Sequence, residues 1–186
     1  MGKLRIVGIG EKIKFECIRC DLCCGTGPNV SLTIYDAVRL AKKVDVNIED
    51  FLRTYVKVIV ADMMPVMLLQ GDAKGRCVFL GFDRNEKTFC KVYDSRPMKC
   101  RLYPVILFKL SLDKVAIDEE CPGVNRDGDR QIDKNEAEIY MEELKKHYSI
   151  LHRLIVEEGR EPLEALNRAL KIAIAELSEK AGENLL

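Results

Sequence analysis

Apolar residues follow different patterns along the chain, and each pattern predicts a different kind of element. Loose alternation from Leu4 to Phe15 predicts one or two short strands. Thr33 and Asn47 each precede an apolar periodic stretch and have an aspartate three positions on, as at the start of a capped helix. We therefore predict two helices there, the second of which continues through Val56 and Ile59.

The middle of the chain favours strands. Short runs rich in β-branched and aromatic residues alternate with polar, turn-forming segments. The predicted strands are residues 65–70, 77–80, 88–93, 105–110 and 114–118. The predicted hairpin turns are residues 71–75, 83–87 and 111–113. Residues 96–103 predict a short helical turn, because Pro97 stands near its start and Pro104 ends it.

The last third of the chain has helical periodicity. Asp133 and Glu136 can cap a first helix, which we expect to end at Gly159. A second helix is expected from about Pro162 to Gly182. Since the connection between them is short, an antiparallel helical hairpin is the expected arrangement.

Composition and charge narrow the functional classes. The chain has 186 residues and is 47% hydrophobic, enough to form a core, which excludes disorder. Its 30 basic and 30 acidic residues balance, which argues against nucleic acid or a membrane as partner. No apolar run approaches the ~20 residues of a membrane span, and the first residues lack the apolar core of a signal peptide. We expect a cytoplasmic protein.

Eight cysteines are the unusual feature of the composition, and we predict that all of them bind a metal or cofactor. They are Cys17, Cys20, Cys23, Cys24, Cys77, Cys90, Cys100 and Cys121. In a reducing compartment, clustered cysteines more often bind metal than form disulfides. Two residues between cysteines let a loop wrap one centre; zinc sites use this spacing in pairs, and ferredoxins use three such steps plus a remote Cys-Pro. Cys121-Pro122 supplies such a remote pair.

The adjacent Cys23 and Cys24 indicate either two neighbouring centres or one centre and a spare thiol, since consecutive side chains point in different directions. Four ligands per centre are usual for zinc and for cubane clusters. We predict one set of Cys17, Cys20, Cys23 and Cys121, and a second of Cys24, Cys77, Cys90 and Cys100. Buried thiolates need compensating charge, and Arg19 is one nearby candidate, unless it is an ordinary surface charge.

The ordered motifs resemble those of the CxxCxxCC cysteine-cluster family, often called YkgJ-like. The resemblance lies in Phe15-x-Cys17-x-x-Cys20-x-x-Cys23-Cys24-Gly25, Cys77-Val-Phe-Leu80, Cys90-x-Val-Tyr93-x-x-Arg96-Pro97-x-x-Cys100-Arg101-x-Tyr103-Pro104 and Cys121-Pro122-Gly123. It covers about residues 15–124 and implies zinc or iron chelation by the eight cysteines. The similar cysteine region of flagellin lysine N-methylases is associated with an iron–sulfur centre.

Together these features predict an α+β fold. A small, metal-organised antiparallel sheet with short helices is followed by a C-terminal helical hairpin. We expect residues 1–124 to form the cysteine-cluster domain, and residues 125–186 to pack on it or extend from it.

Three functions are compatible with this fold. The leading hypothesis is an iron–sulfur protein, such as a 4Fe–4S protein, that transfers electrons or serves as the redox centre of a larger enzyme. The alternatives are a zinc-organised interaction module and a protein-modifying enzyme whose cluster has an open position. The expected partner is a redox or docking protein. The sequence identifies no catalytic residue, so enzymatic activity stays open.

Two weaker signals favour ordinary structural roles. Residues 125–136 resemble a calcium loop, but Arg130 occupies the position where the sharp turn requires glycine. We therefore predict a polar turn followed by a helix cap. His147 and His152 are five positions apart on a predicted helix, which places them on different faces, and we expect ordinary helix residues.

Overall fold

The computed structural model describes residues 3–25, 30–107 and 113–183. Its strands are β1 (Leu4–Gly8), β2 (Lys12–Phe15), β3 (Ser31–Leu32), β4 (Val56–Ala61), β5 (Met64–Leu69), β6 (Leu80–Phe82), β7 (Thr88–Cys90), β8 (Val105–Ile106), β9 (Lys114–Asp118) and β10 (Val124–Gln131). Its helices are α1 (Leu22–Gly25), α2 (Ile34–Lys43), α3 (Ile48–Tyr55), α4 (Met98–Leu102), α5 (Lys134–His152) and α6 (Pro162–Glu183). The predicted α+β class, with small antiparallel sheets and a C-terminal helical region, is confirmed.

The chain divides into two compact units that alternate along the sequence. The first is formed by Met1–Pro28, Gly71–Tyr93 and Met98–Glu142, and the second by Asn29–Gln70, Asp94–Pro97 and Glu143–Leu186. All eight cysteines belong to the first unit, which we call the cysteine unit. The second is called the helical unit.

The cysteine unit is built from three small antiparallel sheets. Their strand orders are β1-β9-β8, β10-β2 and β6-β7. Val115 and Ile117 of β9 are fully buried and form the centre of the first sheet. The β10–β2 pairing has a bulge between Val124 and Asp129, which bends the strand that follows Cys121.

The helical unit combines the sheet β3-β5-β4 with helices α2, α3 and α6. Ile34 and Leu40 of α2 are fully buried. Leu166 and Leu170 of α6 are at most 2% exposed. Helix α6 packs mainly on α2 and also contacts β5. The hydroxyl of Tyr35 donates to the Glu176 carboxylate at 2.9 Å across the α2–α6 contact. Within the described residues, no helix is both long and apolar enough to cross a bilayer.

The helix starts agree with the capping signals of the sequence. Thr33 and Asp36 form a reciprocal capping box at α2. Asn47 accepts a hydrogen bond from the Asp50 backbone N–H at 2.8 Å at the start of α3. Asp133 accepts one from the Glu136 backbone N–H at 3.1 Å at the start of α5. These contacts satisfy backbone donors that have no partner inside the helix.

Three local predictions are wrong. The predicted strand 77–80 is mostly a turn, and β6 begins only at Leu80. The predicted helix through Val56 and Ile59 ends at Tyr55, and β4 begins at once, because this run of β-branched residues is better accommodated in a strand. The predicted polar turn after Cys121 is instead strand β10, where Gly128 lets the backbone approach β2 closely. The predicted segments 108–110 and 111–112 lie outside the described residues.

The buried histidine of α5 should make the folded state sensitive to acid. His147 is 5% exposed, and its Nδ1 accepts a hydrogen bond from the backbone N–H of Ile34 at 3.4 Å. Burial lowers the pKa of His147 from 6.5 to about 4, although nearby Asp36 opposes this. The unfolded chain binds a proton at His147 more readily than the folded chain does. The free energy of unfolding should therefore fall by about 3 kcal/mol as the pH drops from 6.5 towards 4.

We expect His147→Gln to flatten this acid sensitivity, since the amide oxygen can still accept from Ile34 but does not titrate. Denaturant unfolding measured from neutral pH down to pH 4 would show a smaller loss of free energy than in the wild type. His152→Gln is the matched control, because His152 is exposed on the same helix. If the free energy of unfolding falls equally with pH in His147→Gln and in the wild type, His147 is not the source of the acid sensitivity.

Candidate metal centre

The eight cysteines are distributed over loops and element ends of the cysteine unit. Cys17 and Cys20 follow β2, Cys23 and Cys24 are in α1, Cys77 precedes β6, Cys90 ends β7, Cys100 is in α4, and Cys121 lies between β9 and β10. None of these eight described cysteines forms a disulfide. Cys17, Cys20 and Cys23 are exposed, whereas Cys121 is buried. The thiols that form the N-terminal loop therefore lie at the surface of the unit.

The N-terminal cysteine loop is tightly folded around Cys20. Arg19 and Asp21, the residues on either side of it, both have positive φ, at 56° and 65°. Such values are uncommon for residues other than glycine and mark sharp changes of chain direction. The Cys24 backbone N–H donates to the Asp21 carbonyl at 2.9 Å and closes the turn. The loop thus brings four cysteines into a short, folded stretch.

Arg19 holds this loop against the β6–β7 hairpin. Its guanidinium donates to the Asp83 carboxylate at 2.9 Å and to the Thr88 carbonyl. In return, the Thr88 hydroxyl donates to the Arg19 carbonyl at 2.8 Å. Arg19 therefore pairs with a carboxylate and carbonyls of the hairpin that ends in Cys90, and its main role is to position the loop.

Cys121 lies within electrostatic reach of three thiols of the N-terminal loop, and we call these four thiols the first group. Burial raises the pKa of this thiol, a hydrogen bond from the Gly123 backbone N–H lowers it, and the nearby thiolates of Cys20, Cys23 and Cys17 raise it. The backbones approach closely here: a Cβ at Gly123 would clash with the carbonyl oxygen of Glu16. Glycine at this position lets the Cys121 turn lie directly against the start of the cysteine loop.

The second group of neighbouring thiols surrounds Cys24. The Cys23 and Cys24 Sγ atoms are 3.6 Å apart, and this contact, followed by burial and by the thiolates of Cys23, Cys77 and Cys100, raises the pKa of Cys24. The Cys77 backbone N–H also donates to the Cys24 carbonyl at 2.7 Å. Cys23 thus neighbours both groups.

Cys77 connects the second group to the β6–β7 hairpin. Burial raises the pKa of the Cys77 thiol, and the Cys90 thiolate raises it further. The backbone N–H groups of Phe79 and Leu80 donate to Cys77 and oppose this shift. Hydrogen bonds from peptide N–H groups to sulfur stabilise a thiolate, as they do around bound metal centres.

Arg130 and Tyr103 tie the Cys100 helix to the Cys121 turn. The Arg130 guanidinium donates to the carbonyls of Arg101 and Tyr103, each at 2.7 Å, at the end of α4. The Tyr103 hydroxyl donates to the Asp118 carboxylate at 3.0 Å, and the Cys121 backbone N–H donates to the Asp118 carbonyl at 3.3 Å. Sequence reasoning missed these roles, because no local spacing relates residue 130 to residues 101–103.

The donor set suits a soft or borderline metal ion. Within residues 3–25, 30–107 and 113–183, no group of three or more cysteine, histidine, aspartate or glutamate side chains stands close enough together to hold a metal ion. Neighbouring thiolates raise the pKa of Cys24 and of Cys121, so a bound cation would favour ionisation of these two thiols. Zinc or iron bound to thiolate would supply that charge, because metal binding releases the thiol protons.

These features define a cysteine-rich, metal-binding class of protein. A family model for CxxCxxCC proteins, described as a "putative zinc- or iron-chelating domain", matches residues 16–137. The chain belongs to this family, as the cysteine motifs predicted.

The chain is also similar to curated proteins. An uncharacterized protein of Methanocaldococcus jannaschii is 32% identical over 92 residues, which are 50% of this chain and 45% of the relative. The match therefore spans about half of the relative's length. No solved structure matches the chain.

Proposed function

We propose that the eight cysteines bind iron–sulfur clusters and that the protein transfers electrons, alone or as the redox centre of a larger enzyme. The observation that supports this most is that the thiolates of the loop Cys17-x-x-Cys20-x-x-Cys23 raise the pKa of the remote Cys121, which precedes Pro122. This is the ligand arrangement typical of bacterial ferredoxins, in which the distant cysteine precedes a proline.

The neighbours of the thiols support two centres. In the first, the ligands would be Cys17, Cys20, Cys23 and Cys121, and in the second Cys24, Cys77, Cys90 and Cys100. Each group would supply the four thiolates that a cubane cluster requires. N–H donors to the sulfurs of Cys77 and Cys121 would stabilise the charge of the bound centres and tune their potentials.

The exposure of the first group favours electron transfer to another protein. Cys17, Cys20 and Cys23 are exposed, so a docked redox protein could approach this centre directly. The second group is less exposed and would be better shielded from solvent. A pair of centres that differ in exposure can have different potentials, since solvent access and hydrogen bonding both set the potential.

Anaerobic purification followed by metal and sulfide analysis tests this proposal. We expect brown protein with broad visible absorption, iron, and acid-labile sulfide in amounts comparable to the iron. The absorption should bleach on reduction and return on reoxidation. Colourless anaerobic protein with bound zinc and no sulfide would contradict the proposal and favour a zinc-organised interaction module. Aerobic material is unsuitable, because oxidised thiol sites can lose iron and take up zinc.

A further inference from the structure

The edge of the helical-unit sheet is formed by a hydrophobic strand. In the order β3-β5-β4, strand β4 is outermost, and its register with β5 runs from Val56↔Leu69 to Ala61↔Met64. Among the described residues, β5 is the strand that pairs with β4. Within the part of the chain that the structure describes, no strand pairs with the other side of β4.

The β4–β5 turn determines which backbone groups point outward. Asp62 and Met63 form a two-residue turn with positive φ at both positions, 48° and 65°. In such a hairpin Ala61↔Met64 is a hydrogen-bonded pair, so the bonding direction alternates along β4 from that point. Val58 and Val60 consequently direct their N–H and C=O groups away from β5.

The side chains near this edge are apolar and exposed. Val60 is 50% exposed, Ile59 is 39% exposed, and Met63 at the turn is 65% exposed. Strand β4 contains no proline, and Lys57 is its one charged residue. Natural edge strands usually avoid pairing through charges, prolines or bulges, and β4 largely lacks these features.

We infer that β4 pairs antiparallel with β4 of a second copy of this chain, joining the two sheets across a two-fold axis. Centred on Val58, this pairing lets Val58 of each copy donate to Val58 of the other. The Val60 N–H then donates to the Val56 carbonyl of the second copy. The Val56 N–H is not required, and it is already bound to the Leu52 carbonyl.

The side chains of this register are also self-complementary. Lys57 lies opposite Ile59 of the second copy, so the two lysines do not face each other. Val56 lies opposite Val60, which creates a β-branched cross-strand pair on one face of the joined sheet. A second copy therefore pairs the Val58 N–H and C=O groups and the Val60 N–H of the edge, with matching side-chain contacts, as an isologous interface requires.

Sedimentation velocity of the purified, metal-loaded full chain over a concentration series tests the inference. We expect a reversible monomer–dimer equilibrium. Val58→Pro should raise its dissociation constant at least about tenfold, because proline removes an outward donor and its ring blocks close approach. Proline is tolerated on an edge strand whose N–H faces solvent, so the melting temperature and metal content should stay near those of the wild type.

Two lysine substitutions distinguish this edge from another. Val60→Lys should weaken the dimer, whereas Ile6→Lys should not, although Ile6 on β1 is equally exposed at 51%. A wild type that is monomeric at every concentration, or a dimer unchanged by Val58→Pro, would overturn the inference. A dimer weakened by Ile6→Lys but not by Val60→Lys would also overturn it. So would binding of an unrelated protein strand to the wild type that Val58→Pro abolishes. The test does not depend on which metal the cysteines bind.

Discussion

Removing the metal is expected to unfold the cysteine unit while the helical unit stays folded. A structural zinc can contribute ~10–16 kcal/mol to folding, whereas a whole domain is stable by only ~5–15 kcal/mol. The free energy lost with such centres therefore exceeds the stability that small sheets can provide without them. The cysteine unit consists of two- and three-stranded sheets, whereas the helical unit has the buried faces of α2 and α6.

Hydrogen exchange of the full chain before and after chelation measures this effect. Amides whose bonds hold the cysteine unit together, such as those of Cys77, Lys91 and Val124, should lose protection. The amides of Ala37 and Phe51, at the starts of α2 and α3, should keep theirs. Reloading the metal under reducing, anaerobic conditions should restore the protection. Unchanged protection in the cysteine unit after complete metal removal would show that the thiol centres are not structural.

Single cysteine substitutions should remove one centre at a time. Cys121→Ser replaces a buried ligand of the first group, and we expect it to lose about half of the bound metal. Cys90→Ser, its counterpart in the second group, should lose the other half. Cys23→Ser should perturb both, because Cys23 neighbours Cys24 as well as Cys121. Each substitution should also lower the free energy of unfolding of the metal-loaded protein by several kcal/mol.

Metal-to-protein ratios and spectra of the three variants, prepared together, decide between one centre and two. If Cys121→Ser and Cys90→Ser both remove all of the metal with the same spectral change, the thiols form a single cooperative site. If neither loses metal, the assignment of these two cysteines as ligands is wrong. The serine side chain keeps the size of the thiol but binds soft metals poorly, so the comparison isolates the ligand atom.

Features that depend on neighbours in the sequence could be predicted well. The caps at Thr33, Asn47 and Asp133 require only residues three positions away, and all three are confirmed. The change from α3 to β4 was missed because no glycine or proline marks the boundary at Tyr55–Val56. The spacing of the apolar residues also suits either a helix or a strand. Pairing with β5 settles the choice in favour of a strand, and this pairing is not a local property.

The candidate site shows the same division. The cysteine spacing was sufficient to identify the family and to suggest two groups of four thiols, and that grouping stays a prediction. The supports of the site could not be predicted. Arg19 reaches Thr88 across 69 positions, and Arg130 reaches Arg101 across 29, so both contacts depend on how strands and loops assemble in space.

The alternation of the two units along the chain has a consequence for biosynthesis. Cys17 to Cys24 emerge first from the ribosome, but Cys121 follows about a hundred positions later, after an intervening stretch that belongs to the other unit. A first group made of Cys17, Cys20, Cys23 and Cys121, as proposed, is therefore incomplete until Cys121 has been synthesised. Insertion of the proposed inorganic centre must therefore follow the synthesis of Cys121, when the separated parts of the cysteine unit can assemble.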